Sequence, residues 1–140
     1  LLNICVKEIL TAMLLWIGAN TGYNVDLSHP QIQSVTQTEL EELYSQGGGN
    51  ASELHAFYDT VYDTIYLPDT FNIHDAWHKG VLMHELLHYV QDQNQTKFEC
   101  TAEMEQDVWP LQQKYLLEVH GLTWNYDELW YKLTSNCQTN

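Results

Sequence analysis

Val81-Leu82-Met83-His84-Glu85-Leu86-Leu87-His88-Tyr89 is the stretch on which the reading of this chain turns. It contains HELLH, an instance of HExxH, in a run whose apolar residues Val81, Leu82, Leu86, Leu87 and Val90 recur at helical spacing. Positions four apart on a helix lie one turn above each other, so His84 and His88 project on one side and can share one ion. Glu85 is rotated one step from His84, which lets it reach a metal-bound water without ligating the metal itself. A chance His/Glu/His at this spacing is expected only about 0.03 times in a chain of this composition, even before a helix is required. The apolar neighbours put the motif on a core helix, a context that accidents seldom share.

The same helical pattern starts at Asp75 and runs to about Gln91, followed by a polar connection over residues 92–95. A second helical run spans 100–119 and closes at His120-Gly121, with Cys100, Met104, Val108, Leu111 and Tyr115 on one face. Pro110 should kink it, because proline lacks the amide donor and crowds the preceding turn. Upstream, residues 55–59 and 64–68 are aromatic and β-branched around a turn at 60–63, which predicts a hairpin that Pro68 ends. Residues 31–36 read as a short strand, and Thr38 with Glu41 three residues later predicts a capping box for a short helix. Residues 46–50, Gln-Gly-Gly-Gly-Asn, are the flexible loop, and Asn50-Ala51-Ser52 after it matches a glycosylation sequon of a kind common by chance. Near the start, Val6, Ile9, Leu10, Met13, Leu14 and Ile17 predict an amphipathic helix that stops at the 18–22 turn cluster. This run is too short and too interrupted to span a bilayer. The sum is an α+β domain over 1–140: a small, largely antiparallel sheet packed on two long helices, plus the opening helix.

Composition narrows the partners. Five Lys, no Arg and nineteen acids give a net charge of −14. Nothing here could neutralise a row of phosphates, so nucleic acid and anionic membrane surfaces are excluded as partners. An apolar fraction of 44% separates this acidity from the signature of disorder. Of three cysteines, Cys100 and Cys137 lie in the second half and Cys5 in the opening helix. A Cys100–Cys137 bridge and three reduced thiols are both open readings.

Two histidines leave a zinc site one protein ligand short, since catalytic zinc takes three plus a water. A third histidine in the HExxHxxGxxH pattern is excluded, because Tyr89-Val90-Gln91-Asp92-Gln93-Asn94 follows His88. The next helix offers Glu99, Glu103, Glu105 and Asp107. Glu103 with Asp107 copies the ligand-plus-support spacing of thermolysin-like enzymes, whereas Glu105 sits at the edge of the apolar face, where it can reach a cleft. The two glutamates are about 200° apart around the helix, so only one can face the histidines. A carboxylate on the following helix resembles the gluzincin class of metallopeptidases.

The resemblance extends further. Residues 64–68 (Thr-Ile-Tyr-Leu-Pro), then HELLHYVQ, then Cys100, Glu105, Trp109, Gln112 and Tyr115-Leu116, resemble a group of short, uncharacterised bacterial metallopeptidase-like proteins. Residues 14–23 resemble their opening helix and Thr134-Ser135-Asn136-Cys137 their closing Thr-x-x-Cys. The resemblance implies a zincin-like fold, Zn2+ held by His84, His88 and Glu105, and a Cys100–Cys137 pair; such a bond persists outside a reducing cytosol, so a periplasmic or secreted location is expected. Pro110 departs from it, standing where a small helix former is usual. The activity it implies is zinc-dependent hydrolysis of a peptide or protein substrate, with Glu85 as general base. The rival is a zinc-stabilised binding module or inactive homologue. His74 and His78, four apart, read as a solvated start to the HExxH helix, and His55 and His120 lack ligand spacing.

Overall fold

The computed structural model of the chain describes residues 2–46 and 55–138. Most of the glycine loop and the sequon lie outside these residues. In chain order the elements are α1 (Leu2–Asn20), β1 (Gln31–Val35), α2 (Gln37–Gln46), β2 (Phe57–Asp59), β3 (Thr64–Pro68), α3 (Ala76–Gln93), a 3-10 turn (Thr101–Met104), α4 (Glu105–His120) and α5 (Glu128–Thr134). The domain is α+β, as expected. No helix among the described residues is long and apolar enough to cross a membrane.

The sheet is mixed rather than largely antiparallel. β3 lies in the centre, antiparallel to β2 (Phe57↔Tyr66, Asp59↔Thr64) and parallel to β1 (Gln31↔Thr64 through Val35↔Pro68). The reason is topological: a tight turn forces β2 and β3 to run oppositely, whereas α2 intervenes between β1 and the hairpin and permits parallel pairing. The helix start also differs from the expectation. Thr36, not Thr38, caps α2: its hydroxyl accepts from Glu39 N–H and its own N–H donates to Glu39 Oε1, both at 3.1 Å. This is the same Thr-x-x-Glu pattern two residues earlier, selected because β1 ends at buried Val35 and Leu40 must enter the core at once.

α3 is the axis of the molecule. Asp75 caps it by accepting from His78 N–H at 3.1 Å. Its Leu82, Met83, Leu86, Leu87 and Val90 are buried in one core with Val6, Leu10, Met13, Leu14 and Ile17 of α1, Tyr58, Ile65 and Leu67 of the sheet, and Val108, Tyr115 and Leu116 of α4. The remaining face of α3 meets α4. There Gly80 lets the helices close in, since a Cβ at this position would stand 2.9 Å from Leu116 Cδ2. α4 continues through Pro110 and ends where Gly121, at φ 66°, donates to the Leu117 carbonyl at 3.0 Å. A short helix not foreseen in the sequence, α5, follows its cap Asp127, whose carboxylate accepts from Trp130 N–H at 2.7 Å.

Candidate metal centre

The α3–α4 contact places the chemistry. Residues 80, 84, 88 and 91 form one stripe along α3, and the α4 side of the contact presents Leu116, Gln112 and Glu105 in descending order. His84 and His88 lie with ring centroids 5.0 Å apart. His84 Nε2 is 3.2 Å from Glu105 Oε2, and His88 Nε2 pairs directly with Glu105 Oε1. One donor atom from each of these three residues lies within 4.8 Å of the other two. Nitrogen and oxygen ligands on a tetrahedral zinc stand about 3.3 Å apart, so the donor set fits such an ion in both chemistry and scale.

Each imidazole is oriented by a glutamine. His84 Nδ1 bonds Gln112 Oε1 at 2.7 Å, and His88 Nδ1 bonds Gln91 Oε1 at 2.9 Å. A carbonyl oxygen can only accept, so both rings donate from Nδ1 and turn Nε2 toward Glu105, the nitrogen a cation would take in place of a proton. Gln91 also donates from Nε2 to the Met104 carbonyl at 3.0 Å, which ties the His88 support to the residue preceding Glu105. Both glutamines are buried. They stand within the quoted resemblance, at the end of HELLHYVQ and before Tyr115-Leu116, but nothing in the sequence alone distinguishes them from surface amides.

Electrostatics follow from the crowding. Burial pulls the His84 imidazole down, but the Glu105 hydrogen bond and the charges of Glu85 and Glu105 outweigh it and raise it to about 9. Burial likewise pushes Glu105 up, yet hydrogen bonds and charge from His84 and His88 prevail and hold its carboxyl far below the usual range. Glu85 Oε2 stands 3.9 Å from His84 Nε2, beside the donor set and outside it. The side chains of His84 and Glu105 are 21% and 24% exposed, so the donor set is mostly covered and reaches the surface at its edge.

Of the acids on the second helical segment, Glu105 alone joins the histidines. Glu103 lies in the 3-10 turn, where its Oε2 is 3.8 Å from the Cys137 sulfur. Glu99, Glu103 and Cys137 do come together. However, Cys137 is bonded to Cys100, and a disulfide sulfur is no thiolate ligand. His78 is structural at the start of α3, its Nδ1 accepting from Asn72 N–H at 2.8 Å, whereas exposed His74 contributes its backbone N–H to Asn72 Oδ1 at 3.0 Å. Tyr89 donates to the Ser28 carbonyl at 2.5 Å, and Tyr115 pairs with His120 at 3.0 Å. A cleft of about 550 Å³ between α1 and β1, lined by Val6, Leu10, Ile32 and Phe71, includes none of the site residues.

The profile of a family described as Domain of unknown function (DUF6647) matches residues 4–140. The chain belongs to that family. No curated protein and no solved structure matches it. The DUF6647 match covers all but the first two residues of α1 and every later element through the Cys137 bridge, so the candidate centre lies wholly within the family's domain.

Proposed function

We propose that this DUF6647 protein is a zinc-dependent metallopeptidase of gluzincin type that hydrolyses peptide bonds in an exported location. The observation that carries the reading is the convergence of His84 Nε2, His88 Nε2 and the Glu105 carboxylate, with Glu85 alongside. His84, His88 and Glu105 would hold the zinc, which when bound would supply Lewis-acid activation of a water and of the scissile carbonyl. Glu85 takes the proton of the attacking water and delivers it to the leaving amine. Gln112 and Gln91 keep both imidazoles in the ligating tautomer throughout. The Cys100–Cys137 disulfide supports export, because such bonds persist in oxidising compartments.

The test is Glu85→Gln in the zinc-loaded protein, assayed on a peptide library. The substitution keeps shape and hydrogen bonding but removes the base, so zinc content should stay at that of the parent while turnover falls at least about 100-fold. A variant with parental activity would sink the mechanism. A parent that binds zinc and cleaves no peptide would transfer the assignment to a zinc-stabilised binding module.

A further inference from the structure

Glu105 has a second partner besides the histidines. One turn along α4, the Trp109 indole donates from Nε1 to Glu105 Oε2 at 2.8 Å. An indole N–H is only a donor, so it cannot ligate a cation and can only hold the carboxylate oxygen it faces. Both oxygens face a histidine, Oε2 at 3.2 Å from His84 Nε2 and Oε1 paired with His88 Nε2, but only Oε2 is also held by the indole. The two oxygens of the third ligand are therefore unequal before any ion binds.

The indole is itself clamped. Its ring packs against Trp124, Tyr126 and Tyr131 with centroids 5.8, 5.3 and 5.7 Å away. Tyr131, on α5, also donates from its hydroxyl to the Gln106 carbonyl at 2.5 Å. That carbonyl is the one whose helical partner would be the amide of residue 110, and residue 110 is proline. Pro110 thus frees an acceptor inside α4, and α5 docks on it. The Cys100–Cys137 bond ties the chain just past α5 to the turn that leads into α4. Helix, aromatic cluster and disulfide hold the Trp109 N–H on one side of the Glu105 carboxylate.

We propose that Trp109 is a positioning residue that makes Glu105 a one-oxygen ligand, so that His84, His88 and Glu105 supply three protein donors and leave the fourth position of a divalent cation open. With Oε2 released, the carboxylate would bind through both oxygens and fill that position. The inference rests on the metal-site reading above, and its experiment separates the two.

The full chain is loaded with Co2+, whose visible absorption is several-fold stronger in four-coordinate than in five-coordinate sites. The parent is compared with a variant carrying 3-benzothienylalanine at position 109, which puts sulfur in place of the N–H within the same ring shape, and with Trp109→Phe. The parent should take up one Co2+ with strong bands, and both variants should bind it with bands several-fold weaker. Trp109→Phe provides the result if the isostere fails to fold. Bands of equal strength in parent and variants, strong or weak, would overturn the role of Trp109 while leaving the metal site standing. A parent that takes up no Co2+ would overturn the metal site, and the inference with it.

Discussion

Glu105 and Glu103 are two residues apart, yet the fold sends them to different neighbourhoods, one to the histidines and one to the disulfide. Glu105→Ala should therefore cost most of the zinc affinity in a chelator competition, while Glu103→Ala should leave it nearly intact. The reverse pattern would move the third ligand to Glu103. A second expectation concerns protons. His84 is raised from 6.5 to about 9, so in the cation-free protein it is charged near neutrality. Its contribution to stability is complete below pH 6.5 and is lost as pH rises through about 9. Glu105 runs the other way: its contribution is present above pH 4.5 and disappears only in strong acid. A cation must displace the His84 proton, so zinc uptake at pH 7 should release about one proton. Titration calorimetry in buffers of different ionisation enthalpy reads this directly, and uptake without proton release would mean the imidazole was already neutral.

Among the elements, the α3–α4 contact governs the site because the His84–Gln112 and His88–Glu105 pairs both cross it. Gly80 sets how closely the helices approach at its far end. Leu116 is 1% exposed, so its methyl has little space into which it could retreat from an added Cβ 2.9 Å away. Gly80→Ala should lower stability by about 1–3 kcal/mol, as overpacking does, despite the better helix propensity of alanine. Urea denaturation checks this, and an unchanged midpoint would show that the helices yield at no cost. The main helices and the hairpin were legible from periodicity and turn residues, because an amphipathic stripe reports its own burial. α5 was not, since its seven residues include no buried side chain and Asp127 resembles any loop acid. What holds α5 in place is a tyrosine on a carbonyl made free by Pro110, a pairing between residues 25 positions apart.

For the molecule as a whole, the disulfide is the longest covalent constraint, joining residues 37 positions apart. Closing a loop of that size is worth about 4 kcal/mol in the chain-entropy model. Replacing Cys100 and Cys137 together by Ser should lower the thermal midpoint by several degrees, and reductant should shift the parent toward the variant without affecting the variant itself. A reductant-insensitive parent in which Cys100 and Cys137 are both free thiols by mass spectrometry would remove both the bridge and the argument for export. The net charge of −14 adds self-repulsion to the compact state, so the same denaturation should show the protein gaining stability with salt.

HELLH and its apolar flanks were sufficient by themselves for a helix, for two imidazoles on one side of it and for a carboxylate one step round, because all three depend on a fixed 100° rotation per residue. Composition likewise gave a net charge of −14, because charge is a sum that folding does not change. Tertiary structure alone decided what lies across the gap from α3. The choice of Glu105, the Gln91 and Gln112 supports and the Trp109 donor are contacts made or framed by a second helix, whose phase relative to α3 is set by Gly80, Leu116 and the 3-10 turn. The parallel pairing of β1 with β3 belongs to the same category, since a strand's own residues specify which face is buried and not which neighbour it will find.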